Sequence, residues 1–266
     1  MKFDKHFPTE RLRPYIKYFV VSENEVESEY KVFPSLGLVI GFQYKGQLAA
    51  ITNNSENKLT SAGISGISNS FKIFKNSADI GTVLVFFTEL GFAHFASHPA
   101  HELFNLSLSL DYVFEKDRVN EVQEKLGLAN TDKQKIKVIE QFLLAQLREI
   151  ENDKLIVEAV KRIHQSRGTI QIKELIGKLY ISQSAFEKRF RKMVGTTAKK
   201  FASIVRFNAL LEDMNGTKTL TEICYNYNFF DQAHFIRDFK QFTGETPENF
   251  KRFFVDKRFF TMSRIS

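Results

Sequence analysis

Along the first hundred residues, apolar positions gather in short runs broken by Pro, Gly and polar clusters. After Thr88 they shift to the three-and-four spacing of amphipathic helices. Strands are predicted at 18–21, 30–33, 36–44, 47–51, 71–74 and 82–88, bounded by turn signals such as Pro34, Gly37 and the Lys45-Gly46 pair. Residues 8–21 read as a capped turn or short helix leading into the first strand, and Glu23, Glu25, Glu27 and Glu29 as a solvated acidic loop. Helices are predicted at 90–96, 101–105, 118–126 and 133–150. In the last, Ile136, Ile139, Leu143, Leu147 and Ile150 share a face that either packs on its own domain, the preferred reading, or joins a dimer interface.

The rest of the chain carries helical spacing only. Asp153 is placed to cap a helix over 154–165 that buries Ile156, Ala159, Val160 and Ile163 and stops before Gly168. Thr169 is expected to cap the next helix, with Ile172, Leu175, Ile176 and Leu179 inward. Tyr180 and Ile181 then make a turn, and Ser182 caps a helix with Phe186, Phe190 and Met193 inward and Gly195 as its stop. Residues 201–214 read as one connecting helix, about 21 Å long at the usual rise.

The arrangement then recurs. Leu220, Ile223, Cys224 and Tyr227 share a face, Asn228 marks a turn, and Asp231 caps a helix with Phe235, Phe239 and Phe242 inward; Gly244 ends it and Pro247 starts another. Leu175 maps onto Ile223 with a shift of 48, while Phe186, Phe190, Gly195 and Phe201 map onto Phe235, Phe239, Gly244 and Phe250 with a shift of 49, so one residue has been added at the second turn. Each half is a helix-turn-helix, at about 169–195 and 219–244. Their outward stripes correspond: Ser184, Glu187, Lys188 and Arg191 in the first, Ala233, Ile236, Arg237 and Lys240 in the second.

A chain of 266 residues, 43% of them hydrophobic, is expected to form two folded units, 1–150 and 151–266. Charge divides them the same way. Residues 1–150 hold 17 Lys and Arg against 18 Asp and Glu, whereas 151–266 hold 21 against 13, so the excess of +7 lies wholly in the repeated half and suits a phosphate backbone. The single Cys224 excludes a disulfide framework. The longest apolar runs fall far short of the roughly 20 residues of a membrane span, and no leader-like segment opens the chain, which points to a cytoplasmic protein with no membrane partner.

The run LTEICYNYNFFDQAHFIRDFKQFTGETPENFKR at 220–252 resembles the signature segment of the AraC/XylS family of bacterial transcription regulators. Asp231, Gln232, His234, Phe235, Arg237, Phe239, Lys240, Gly244, Pro247 and Phe250 carry the likeness, with Asn228 standing where the family usually has Gly. The first copy departs further, with Tyr180 at that Gly position and Ala198 where the second copy has Pro247. The passages PSLGLVIGF at 34–42 and 83–95, VLVFF followed by a helix, resemble an uncharacterised sensor type found ahead of such modules. The resemblance implies an α+β protein: a β-rich, cupin-like N-terminal sensor domain with accessory helices, then an all-α double helix-turn-helix domain. It implies a regulator, an activator or a repressor, whose partners are promoter or operator duplex DNA, a small-molecule effector, RNA polymerase and a second copy of the chain.

By the same resemblance the base-reading positions are Ser184, Glu187, Lys188, Gln232, Ala233, His234, Ile236 and Arg237. Arg237 and Lys188 suit guanine, Gln232 adenine, Glu187 cytosine and Ile236 a thymine methyl. Arg191, Lys192, Lys199, Lys200 and Lys240 are better suited to phosphates, which position without specifying. A connecting helix of the expected length, with its flanking turns, holds two recognition helices about one DNA turn, near 34 Å, apart.

The chemistry of the N-terminal half points elsewhere than catalysis. His94, His98, His101 and Glu102 have ligand-like spacing, but Pro99 breaks the helix before the third His, and histidines around a helix break are preferred over a metal site. Gly63 and Gly66 lack the following Lys and the strand-to-helix setting of a phosphate loop. No catalytic constellation or cofactor motif is read, and Cys224 on an inward face argues against the alkyl transfer that some relatives of this module perform. The alternative is a metal- or sugar-binding enzyme domain fused to a DNA-binding module.

Overall fold

The computed structural model describes residues 1–214, 219–253 and 262–264. In the N-terminal part, strands β1 (Lys2–His6), β2 (Ile16–Asn24), β3 (Ser28–Val32), β4 (Val39–Lys45), β5 (Leu48–Thr52), β6 (Ser55–Lys58), β7 (Ala62–Ser65), β8 (Lys72–Asn76), β9 (Ile80–Phe87) and β10 (Ser107–Ser109) are joined by a late strand, β11 (Met262–Arg264). They form a six-stranded antiparallel sheet in the order β1-β2-β9-β4-β7-β10 and a five-stranded one in the order β11-β3-β8-β5-β6. The α+β reading holds. All six predicted strands are present within a few residues, and β1, β6, β7, β10 and β11 are additional to them.

Period-two alternation explains how the larger sheet is used. Val83, Val85 and Phe87 of β9 and Ile40 and Phe42 of β4 have at most 1% of their surface exposed. They face helices α1 (Lys116–Leu128) and α2 (Asp132–Gln146), with the Phe142 ring edge-on to Phe42 at 6.0 Å. Leu84, Phe86, Val39 and Gly41 alternate with them and look the other way, into a space between the two sheets.

The amphipathic face of α2 therefore packs on its own domain: Ile136, Ile139, Phe142 and Leu143 are buried. The helix ends at Gln146, short of the expected Ile150, and Thr131 caps it through a capping box with Gln134. Residues 91–94 and 100–103 form short 3-10 turns instead of α-helices. The acidic run is not a free loop at its start: Glu23 lies in β2 and accepts the Tyr44 hydroxyl at 2.6 Å.

Among the described residues seven helices follow: α3 (Lys154–Gln165), α4 (Ile172–Leu179), α5 (Gln183–Val194), α6 (Ala198–Met214), α7 (Leu220–Asn226), α8 (Gln232–Thr243) and α9 (Pro247–Phe253). Asp153, Ser182 and Asp231 cap α3, α5 and α8 as their side chains suggest. Thr169 does not cap α4; it donates instead to Ser166 O, and Gln171 stands at the cap. The connecting helix begins three residues earlier than expected, and its 17 residues span about 25 Å.

The repeat register survives in detail. Helices α5 and α8 each have 12 residues offset by 49, and both end at a left-handed glycine, Gly195 at φ 99° and Gly244 at φ 78°. Tyr180 and Asn228, 48 apart, both adopt φ 51°, so the extra residue enters after them. Phe186, Phe190, Phe235 and Phe239 are 0–1% exposed; Phe190 meets Phe201 and Phe239 meets Phe207 of α6, while Phe186 and Phe235 pack against Phe190 and Phe239.

Candidate nucleic-acid interface

On α5, Ser184, Lys188, Arg191 and Lys192 are exposed and form a continuous basic stripe. Glu187 does not stand on it freely. The side chain is half-buried beside the Ala198 amide at the start of α6, and burial pushes its carboxyl pKa up while that amide and Arg191 pull the other way. A neighbouring cation absent from the predicted set, Arg189, donates to Asp153 at 2.7 Å and ties α5 to the start of α3.

On α8, Ala233, Ile236, Arg237 and Lys240 are exposed, with Ile236 40% accessible. Gln232 is exposed too and donates to Thr221 Oγ1 at 3.1 Å, linking the two helices of the unit. His234 is part-exposed and lies against its own helix: its Nε2 is 3.5 Å from Asp238, which accepts from Arg206 of α6 at 3.1 Å, and the Arg206 guanidinium covers Phe229 at 4.1 Å. This cluster fixes α8 against α6. Its His234–Asp238 spacing of i,i+4 was readable, whereas Arg206 lies 32 residues away.

Among the phosphate candidates, Lys199 is exposed, and Lys200 stands over the Phe104 ring of the N-terminal part at 4.6 Å. Cys224 is buried, and burial pushes its thiol pKa up. Of the clustered histidines, His94 is buried, with Nε2 2.9 Å from Asn152 and its ring 4.5 Å from Tyr15. Among the described residues no three His, Cys, Asp or Glu side chains converge as metal ligands, and no helix is long and apolar enough to cross a membrane.

Helices α5 and α8 both rest their C-terminal stops on the N-terminal part. A Cβ added to Gly195 would sit 3.2 Å from Ala100 O, and one added to Gly244 would sit 2.9 Å from the Phe71 ring. Next to the second stop, Lys31 pairs with Glu245 at 2.7 Å. The Phe33 ring lies 5.7 Å from Phe250 and 6.4 Å from Phe207. Phe33 also lines the space between the sheets, a cavity of about 350 Å³.

Residues 175–252 match a helix-turn-helix domain family. With the duplicated units and the signature residues, this decides the assignment. The chain carries an AraC-type helix-turn-helix domain at its C-terminal end. Ahead of the AraC-type domain, residues 4–109 match a domain of unknown function, DUF6597. The Msm operon regulatory protein of Streptococcus mutans is 29% identical over 145 residues, covering 52% of this chain, which spans about half (51%) of that relative's length. Two solved structures are also similar. ToxT from Vibrio cholerae O395 has a TM-score of 0.45 at 14% identity, over 88% of this chain and 96% of that one. The xylose-binding transcription activator XylR has a TM-score of 0.35 at 18% identity, over 45% and 38%.

Proposed function

We propose that the protein is a sequence-specific DNA-binding transcription regulator in which residues 151–266 read two successive major grooves and residues 1–150 form the controlling sensor. The observation that carries this reading is the equivalence of α5 and α8: same length, same left-handed glycine stop, the same 49-residue offset and a basic outward stripe on each. A single chain then presents two reading faces at fixed spacing and needs no palindromic site.

Within the stripes, Ser184, Lys188, Ala233, Ile236 and Arg237 are the base readers the exposure favours, with Arg191, Lys192 and Lys240 on phosphates. Glu187 and His234 serve packing first: the Glu187 carboxyl is half-buried beside the Ala198 amide, and the His234 imidazole lies 3.5 Å from Asp238. The sensor speaks to the reader through Phe33 and the Lys31–Glu245 pair, which join the cavity wall to α6, α9 and the end of α8. A small-molecule effector in that cavity, contact with RNA polymerase, a homodimer and a cytoplasmic location belong to the same proposal. The regulator reading is favoured over an enzyme fused to a DNA-binding module, since the matching domain is a helix-turn-helix and the curated relative is an operon regulatory protein.

The test is capture of sheared genomic DNA by the purified protein, followed by titration of the enriched fragment against random duplex at two salt concentrations. A specific binder enriches defined fragments and prefers them by about 10³-fold or more. Equal affinity for both duplexes, with a steep salt dependence, overturns the proposal in favour of a nucleoid-type binder.

A further inference from the structure

We propose that Phe230 opens an apolar reading surface on the second unit, continued by Ala233 and Ile236, which recognises the C5 methyl groups of thymines in the major groove. This rests on the reading of α5 and α8 as the DNA-reading helices and names the base chemistry that α8 selects.

Phe230 is the residue by which the second unit is longer than the first. Tyr180 and Asn228, 48 apart, share the left-handed turn conformation. The next pair, Ile181 and Phe229, keeps that shift, and both side chains are partly buried against the core. The caps Ser182 and Asp231 are 49 apart. Between these pairs Phe230 stands without a counterpart in the first unit.

An apolar residue just ahead of a helix cap ordinarily packs on the residue four beyond the cap. For α8 that residue is Phe235, and its ring meets Phe229 instead, at 5.1 Å. The staple is made one residue early, which leaves the Phe230 ring 92% exposed at the tip of the helix, the end where reading helices meet base edges. A single exposed apolar side chain is common. This one begins a series, because Ala233 and Ile236 on the first two turns of α8 are exposed as well.

The repeat shows what changes from one unit to the other. Ser184 corresponds to Ala233 and Glu187 to Ile236, so both positions lose their polar atoms in the second unit, while Lys188 and Arg191 keep their charge as Arg237 and Lys240. Phenylalanine, alanine and isoleucine side chains neither donate to a base edge nor accept from one. The apolar group that a base pair presents in the major groove is the thymine methyl, and covering it removes apolar surface of both partners from water.

Charge selects a duplex over a protein surface as the occupant. Arg237 and Lys240 place exposed cations beside the apolar series. The carboxylates of α7, α8 and their caps are engaged: Asp231 accepts the His234 amide at 2.6 Å, Asp238 accepts from Arg206 at 3.1 Å, and Glu222 accepts the Thr219 amide at 2.7 Å. An apolar surface edged by cations suits thymines flanked by phosphates.

The experiment uses the full chain and the fragment enriched by genomic capture, resynthesised with one thymidine at a time replaced by deoxyuridine. That change deletes a methyl and keeps every hydrogen-bonding group of the base. Wild-type protein is expected to lose roughly fourfold in affinity at one or more positions, the worth of one buried methyl. Phe230→Ala and Ile236→Ala should each bind the unmodified fragment about tenfold more weakly and be insensitive to uracil at one or more of those positions. Lys188→Ala, on the first unit, should weaken binding yet keep the full uracil sensitivity. Circular dichroism controls for folding. Wild-type affinity unmoved by uracil at every thymine overturns the proposal. So does full uracil sensitivity in Phe230→Ala, and if that variant also binds as tightly as the wild type, the ring belongs to a protein partner. If capture enriches no fragment, the DNA-reading proposal falls together with this one, whereas an enriched fragment indifferent to uracil removes the thymine reading alone.

Discussion

His164 Nε2 on α3 lies 3.2 Å from Glu89 Oε1, which sits just beyond the end of β9, and Lys17 Nζ reaches the same oxygen at 2.7 Å. This is a polar bond between the N-terminal part and α3, the helix that precedes the matched helix-turn-helix segment, with the Glu89 side chain only 15% exposed. Burial alone would raise the carboxyl pKa, but His164 and Lys17 outweigh it and bring it down to about 2.

A carboxylate whose folded pKa lies below its unfolded value contributes stability that is complete above about 4.5 and is lost as pH falls through about 2. Glu89→Gln is therefore expected to cost about 1–3 kcal/mol at neutral pH. The thermal midpoint of the wild type should fall more steeply than that of the variant between pH 4.5 and the lowest pH at which both refold. Parallel curves would remove Glu89 from the acid sensitivity of the fold.

Tyr180 ends α4 in the left-handed conformation, φ 51°, with 97% of its surface exposed. A non-glycine residue there carries roughly 1–2 kcal/mol of backbone strain, part of which glycine would return as lost unfolded-state entropy. Tyr180→Gly is expected to raise stability by about 0.5–1 kcal/mol, the reverse of the usual effect of glycine at a helix end interior. Asn228→Gly at the equivalent position should gain less, since Asn adopts this conformation more readily. Denaturant titrations of the two variants check the order.

These positions also show what was legible in the sequence. The caps Asp153, Ser182 and Asp231, the stops Gly195 and Gly244 and the inward phenylalanines are local signals, each set by spacing within one helix, and they sit where the pattern puts them. β6 and β10 escaped because SENK and SLS have no apolar alternation, and β7 because AGIS is short and glycine-bearing; their partners across the sheets define them. The same limit hid the cavity. VLVFF in β9 is apolar on both faces, which signals cover on both sides. Only the placement of β8 reveals that the second cover stands off. Helical spacing puts Glu187 outward and the family resemblance puts His234 among the base readers, but neither signal gives what lies beside the side chain; Ala198 and Asp238 are those neighbours.

Phe33 joins two functions of the chain, being 3% exposed, part of the cavity wall and in ring contact with Phe207 and Phe250. Phe33→Ala is expected to cost about 3–5 kcal/mol, and Phe33→Leu, which keeps most of the volume, less than about 1.5 kcal/mol. If this ring transmits the state of the cavity, Phe33→Leu should keep the fold and DNA binding but change how far a cavity ligand alters DNA affinity. Binding titrations with and without ligand measure that ratio, and an unaltered ratio would place the coupling in the Lys31–Glu245 pair instead.

Arg237 and Lys240 lie three residues apart on the exposed face of α8, yet they are expected to fail differently. An arginine bidentate to guanine discriminates between bases, so Arg237→Ala should lower affinity for the enriched fragment by about 1–3 kcal/mol and relax preference at one base position, with little loss on random duplex. A lysine on a phosphate neutralises charge without reading sequence. Lys240→Ala should weaken both duplexes alike and reduce the slope of log affinity against log salt by about 0.9, the counterions no longer released by one contact. Titrations of both variants on both duplexes across a salt series separate the two roles. Equal losses for Arg237→Ala on specific and random DNA would move Arg237 to the phosphate set and leave Ala233 and Ile236 as the reading surface of the second unit.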